Sequence, residues 1–153
     1  RYKNFSLTTF LHGRFGQKIV NETRINTENM FGTANQSTAV LSRWRNEGDD
    51  TDIPRALYNE GYNYLGSDRF VEDGSFVRLK TVSLRYSLPK AFLTKNKIDR
   101  FDVFFTVQDL YTWTNYSGQD PEVNLSSNIY MLSVDKASTP RPKRFALGVN
   151  MNF

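Results

Sequence analysis

The sequence predicts an all-β chain: a transmembrane antiparallel β-barrel segment with long extracellular loops, one of them carrying a short helix. Three observations predict it. First, long stretches alternate apolar and polar residues with a period of two. They outrun the ~5–6 residues of an ordinary strand and approach the ~9–11 that a tilted strand needs to cross a bilayer. Second, aromatic residues make up 14% of the 153 residues, although 24% are charged and the mean hydropathy is −0.56. Third, one short connection lies between two long polar ones, the asymmetry of turns and outer loops in outer-membrane barrels. No run approaches the ~20 apolar residues of a spanning helix, and no heptad or longer repeat is present.

The strands are expected over about 2–15, 75–88, 100–115 and 141–153, with outer loops at 16–74 and 116–140 and a periplasmic turn at 89–99. In the first strand Phe5, Leu7, Thr9, Leu11, Gly13 and Phe15 share one face, while Asn4, Ser6, Thr8, Phe10, His12 and Arg14 share the other. In the long loop that follows, Ser37 is placed to cap a helix with Val40, Leu41 and Trp44 at helical spacing and Gly48 as its stop. The second strand sets Val82, Leu84, Tyr86 and Leu88 against Thr81, Ser83, Arg85 and Ser87, and Pro89 opens the turn. The third sets Phe101, Val103, Phe105 and Val107 against Asp102, Phe104, Thr106 and Gln108. The last is the most regular: Phe145, Leu147, Val149, Met151 and Phe153 alternate with Arg144, Ala146, Gly148, Asn150 and Asn152.

Strict alternation places three charges, Arg78, Lys80 and Asp109, on the lipid face. At ~2.5 Å of height per tilted residue, Lys80 and Asp109 both stand roughly 20 Å from the periplasmic end. That is near the outer rim of a ~25 Å apolar band, where a charge costs ~0–1 kcal/mol. Tyr2, Tyr86, Phe101 and Phe153 fall at the inner girdle, and Phe15, Tyr111 and Trp113 at the outer one. The opening residues Arg1-Tyr2-Lys3 have no charged and apolar signal-peptide regions, so a mature or truncated segment is expected.

Several chemistries find no residues to carry them. With no cysteine, thiol catalysis and cysteine zinc sites are excluded, and His12 as the one histidine leaves little for a His-rich metal site or a Ser-His-Asp hydrolase. No nucleophile elbow, phosphate loop or HExxH motif occurs, so the chain is not expected to be an enzyme or to hold a cofactor. The net charge of +4 comes from scattered residues, and nucleic acid is not an expected partner. The run Asp49, Asp50, Asp52 offers oxygen ligands for calcium without the EF-hand spacing; a solvated acidic loop is the commoner use of such a run. Trp44, Tyr58, Tyr62, Tyr64 and Tyr116 are candidates for contact with a solute or a lid, with loop packing as the alternative. Arg14, Arg85 and Arg144 are candidates to line the lumen or to pair with carboxylates inside it, and His12 is read as structural. Two other readings remain open: a soluble carbohydrate-binding β-sandwich, and an outer-membrane barrel of structural or secretion type.

Several ordered blocks resemble the SusC/RagA family of TonB-linked outer-membrane proteins. They are the run from Asp68-Arg69-Phe70-Val71-Glu72-Asp73-Gly74 through Lys80 with its Tyr86-Ser87-Leu88-Pro89 stop; Val107-Gln108-Asp109-Leu110-Tyr111-Thr112-Trp113-Thr114-Asn115-Tyr116 with Gly118-Gln119-Asp120-Pro121-Glu122-Val123; the loop Arg43-Trp44-Arg45-Asn46-Glu47-Gly48 through Arg55; and the tail from Pro140 to Phe153. At Asp109 the family more often has asparagine. The resemblance implies the last four strands of a roughly 22-stranded barrel in the bacterial outer membrane. It further implies an importer of glycan or peptide fragments, with a SusD-like surface lipoprotein as lid and the TonB complex acting through an N-terminal part not in these residues. Phe145, Leu147, Val149, Met151 and Phe153 would then form the assembly signal read by the barrel-insertion machinery.

Overall fold

The computed structural model describes residues 1–95, 98–122 and 133–153. Parts of the expected turn (96–97) and of the expected second outer loop (123–132) lie outside the described residues. In chain order the elements are β1 (Phe5–Arg14), β2 (Lys18–Asn21), α1 (Glu22–Thr27), β3 (Val71–Asp73), β4 (Phe76–Ser87), α2 (Lys90–Lys95), β5 (Arg100–Thr114), β6 (Val134–Asp135) and β7 (Arg144–Asn152). They form two compact units. One holds 1–15, 75–115 and 141–153; the other holds 16–74 and 116–140.

The first unit is a four-stranded antiparallel sheet in the order β1-β4-β5-β7. Alternation sets its register, because a slip of one residue would turn every side chain to the wrong face. Leu7, Leu84, Phe105 and Leu147 lie abreast across all four strands, and so do Phe5, Tyr86, Val103 and Val149. On the other face Thr8, Ser83, Thr106 and Ala146 lie abreast, with the Ser83 and Thr106 hydroxyls 2.9 Å apart. At Gly148 a Cβ would lie 2.3 Å from Phe104 Cζ, so the missing side chain is what lets the Phe104 ring lie across β7.

One irregularity changes the assignment of faces. Lys80 is an extra residue of β4 between Thr81, opposite Phe10, and Leu79, opposite Leu11. β5 matches it with Asp109 and Leu110 between Gln108 and Tyr111, and Asp109 takes a φ of 52°. A β-bulge reverses the parity of the strand beyond it. Arg78 therefore lies opposite His12 and Thr112 on the polar face, not on the apolar face where strict alternation put it. Leu79 and Val77 take the apolar positions instead. Asp109 suits the left-handed conformation because its short polar side chain tolerates it, as an asparagine would.

The turn after β4 contains α2, which alternation did not foretell. Leu93 anchors it at 5% exposure. The second unit is more ordered than a pair of polar loops suggests. It carries a three-stranded sheet, β3-β2-β6, in which β2 is antiparallel to β3 and parallel to β6. The helix expected after Ser37 is one 3₁₀ turn, Thr38–Ser42. Ser37 does cap it, through Ala39 N–H at 3.2 Å, but Arg43 is extended and Trp44 N–H donates to Ile53 O instead. No helix among the described residues is long and apolar enough to cross a membrane.

Candidate functional site

The four-stranded sheet has two chemically opposed faces. On the apolar face the central row is open: Leu7 is 61% exposed, Leu84 44%, Phe105 43% and Leu147 76%. Neighbouring rows are exposed as well, including Phe145, Val149, Met151 and, toward the other end, Tyr111 and Trp113. Side chains on this face contact chiefly each other. The Phe5 and Tyr86 rings stand 4.7 Å apart, Phe105 and Phe145 6.4 Å, and Tyr111 meets Trp113 edge-on at 4.9 Å. A contiguous apolar surface spanning four strands is far beyond the scattered exposed residues of a water-soluble domain, and marks a surface made for an apolar environment.

The opposite face carries hydroxyls, amides and charges. Near one end Arg100 holds the fully buried Asp102 through Nε at 2.9 Å and Nη2 at 2.8 Å. Near the other end the bulge gathers charge: Asp109 Oδ1 lies 4.0 Å from Arg78 Nη1 and 3.8 Å from Lys80 Nζ. Arg78 is itself buried, with its guanidinium over the Phe76 ring and the His12 ring tilted against the same ring at 5.7 Å.

The second unit is organised around Glu72. Its Oε1 accepts from Arg24 Nη1 (2.9 Å), Ser117 Oγ (2.8 Å) and Asn21 Nδ2 (3.2 Å), and its Oε2 accepts from Ser117 N–H (2.9 Å). Asn21 also caps α1 by accepting from Arg24 N–H. Arg24 Nε and Arg69 Nη1 both hold the buried Glu28, at 2.7 and 2.9 Å, and both guanidiniums lie over the buried Phe70 ring. Burial pushes the Glu72 carboxyl up, but the hydrogen bonds of Arg24, Ser117 and Asn21 outweigh it and hold the pKa below its ordinary value. The hydrogen bond to Glu28 does most to raise the Arg24 pKa, against the opposing pull of burial.

No family model matches the chain. Whole-chain relatives exist nonetheless. The TonB-dependent receptor P3 of Formosa agariphila is 35% identical over 100% of this chain, and the TonB-dependent receptor P26 of the same organism is 30% identical over 99%. The TonB-dependent receptor SusC of Bacteroides thetaiotaomicron is 27% identical over 100%. A solved structure of the RagAB peptide transporter superposes on 100% of the chain with a TM-score of 0.81 at 27% identity. This is a SusC/RagA-like TonB-dependent transporter segment. The chain spans 15% of the P3 receptor, 14% of SusC and 16% of the RagAB chain it matches.

Within this SusC/RagA-like segment the residues singled out from sequence separate clearly. Phe145, Leu147, Val149 and Met151 form one exposed row on the apolar face, and Phe153 beyond them is 82% exposed. Arg14, Arg85 and Arg144 are all exposed on the polar face, at three different heights opposite Phe76, Phe104 and Gln108. The five loop aromatics do not form one surface. Tyr116, expected as a contact residue, is buried at 6% and donates to Asp135 Oδ2 at 2.6 Å. Burial foremost, and then that hydrogen bond, raises its pKa well above the ordinary phenol value. Its ring also folds over Gly118, where a Cβ would collide with it. Tyr64 packs on Phe31 at 4.4 Å and Trp44 is half-buried, so Tyr58 and Tyr62, at 64% and 78% exposure, are the two presented outward.

Asp49, Asp50 and Asp52 do not converge. Among the described residues no three His, Cys, Asp or Glu side chains are arranged to hold a metal. Asp49 instead accepts the N–H groups of Arg45 and Asn46 at 2.8 and 2.9 Å, closing a turn; these bonds, Asn46 foremost, lower its pKa. Sequence reasoning missed Asn21, Arg24, Glu28 and Glu72. The signal available for them was Asn21 before Glu22, a cap followed by an acidic first turn; nothing local foretold the partners.

Proposed function

We propose that this chain forms the last four strands of a roughly 22-stranded outer-membrane barrel, supplying wall and mouth to an energised importer of glycan or peptide fragments. The apolar face meets lipid, the polar face meets the lumen, and residues 16–74 and 116–140 stand outside the cell. A SusD-like surface lipoprotein covers the mouth, and the TonB complex acts through parts of the protein beyond these residues. The SusC and RagAB relatives support this reading by their names and their whole-chain similarity. The observation that carries it is the exposed row Leu7, Leu84, Phe105 and Leu147, backed by a polar face. Among the described residues β1 and β7 each have one edge with no strand beside it. Open edges are not tolerated in hydrocarbon, so further barrel strands pair with both.

Chemistry of this kind requires no reacting side chain from the segment: its contribution is a rigid, lipid-sealed wall with a polar inner surface. These 153 residues contain no cysteine, and any cysteine elsewhere in the full-length protein is first replaced. Single cysteines at Leu147 and Ala146 in the full-length protein, in intact outer membranes, are exposed to a charged and to a lipid-soluble thiol reagent. The reading expects the Ala146 position to react with the charged reagent and the Leu147 position with the lipid-soluble one alone. Equal reaction of both with the charged reagent would exclude a lipid-facing row. Uptake of labelled oligosaccharides against labelled peptides by cells dependent on the protein then separates the two substrate classes.

A further inference from the structure

Residues 16–74 and 116–140 are separated in the chain by β4, α2 and β5, yet they build one compact unit. Two long surface loops would ordinarily be independent elements, each with its own opening equilibrium. Here they are fastened in several chemically different ways. β6 pairs with β2, and Val20 N–H donates to Ser133 O at 2.8 Å. Lys136 of the second segment lies 3.4 Å from Glu22 of the first. Gln17 of the first segment donates through Nε2 to Pro121 O at 3.2 Å.

The centre of this fastening is the Glu72 carboxylate. Three stretches of chain converge on it: β3, which carries it; the turn Asn21–Arg24, which brings an amide and a guanidinium; and Ser117, which gives both its hydroxyl and its backbone N–H. Behind it Arg24 is fixed a second time by Glu28, whose side chain is 4% exposed and also holds Arg69. With its charges paired and the Glu28 and Glu72 side chains only 4% and 14% exposed, the network favours one arrangement, because another leaves a charge without its partners.

We propose that residues 16–74, 116–122 and 133–140 act as a single mechanical body clasped at Glu72, so that a partner or solute engaging one loop displaces both together. The exposed Tyr58 and Tyr62 lie on the first loop, and the clasp makes the second loop their obligatory follower. Neither loop gates alone. This inference rests on the clasp geometry and stands whether or not the protein imports a solute.

Hydrogen exchange on the full-length protein in detergent tests it, comparing wild type with Glu72→Gln, which keeps the size and removes the charge. Loss of a charged hydrogen-bonding centre is expected to raise exchange roughly 10- to 100-fold. The rise should appear together at 18–21, 71–73, 117–122 and 133–137, with β4 and β5 unchanged. A rise confined to 71–73 and Ser117 would overturn the proposal. A second measurement needs no change at Glu72: spin labels at Thr33→Cys and Thr139→Cys, both exposed, should give one narrow distance distribution. A broad or two-peaked distribution in the otherwise unaltered protein would show two independently moving loops and sink the idea.

Discussion

Replacing Leu147 with lysine places a charge in the middle of the apolar row, and the structure supplies the depth at which it lands. Leu147 lies opposite Phe105, which stands roughly 10 Å above Phe101 at ~2.5 Å of height per residue, well inside a ~25 Å apolar band. A lysine there costs about 2–3 kcal/mol on the scale for lipid-facing barrel positions. The row of Leu11, Leu79 and Tyr111 stands roughly 20 Å above Phe101, counted along the unbulged β1, near the far rim, where the cost falls to about 0–1 kcal/mol. Ala146, the next residue of β7, faces the other way, and a lysine there meets water. The three variants Leu147→Lys, Leu11→Lys and Ala146→Lys thus share one new side chain and differ in face and depth. In denaturant titrations of the full-length protein in lipid vesicles, Leu147→Lys should lower the folding constant roughly 30- to 150-fold. The other two should stay within about fivefold of wild type. Equal losses at Leu147 and Ala146, or the largest loss at Leu11, would refute the assignment of faces.

Gly148→Val should destabilise the sheet by about 1–3 kcal/mol through overpacking against Phe104; adding Phe104→Ala should recover part of that, read as the unfolding midpoint of the single and double variants. Asp109→Val should cost at least 1–2 kcal/mol because a β-branched residue resists the φ of 52°. Asp109→Asn should keep the backbone and lose the charge between Lys80 and Arg78, so its midpoint should fall by less than that of Asp109→Val. The loop unit should also respond to acid. Its folded Glu72 pKa lies below the unfolded value, so the stabilisation is fully present above about pH 4.3 and is lost as pH falls through the folded value. Protease cleavage within 16–74 should accordingly rise in acid, and Glu72→Gln should weaken that dependence while raising cleavage at neutral pH.

How much of this was legible in sequence follows from the range of each determinant. The row Phe145, Leu147, Val149 and Met151 is readable because alternation is local and the exposed row obeys it. The helical turn after Ser37 was half legible: the cap is a local contact, whereas its early end depends on Trp44 pairing with Ile53, a tertiary choice. Arg78 was misplaced because one extra residue, Lys80, is invisible to a parity count that knows nothing of the neighbouring strands. The use of Tyr116, contact or loop packing, was open in the sequence for a related reason. An aromatic in a polar loop looks available until Asp135, 19 residues away, is seen to take its hydroxyl. The Glu72 network was the least legible part, since Asn21, Arg24, Glu72 and Ser117 come from stretches 48 and 45 residues apart and share no pattern.

The pairing of β2 with β6 also sets an order of events. The Gln17 bond to Pro121 joins residues 104 apart in the chain, and the contact of Val20 with Val134 spans still more. Such long-range closures are entropically costly until the intervening chain is already held in place. β4 and β5 lie between the two halves of the loop unit and pair with each other through a short turn, so they have the local advantage. The hairpin of β4 and β5 is therefore favoured to form first, which brings the ends of both loops near each other. The loop unit closes last. Until it does, the β2 edge meant for β6 is bare, and a chain stalled at that stage presents a ready template for strand pairing with the wrong neighbour.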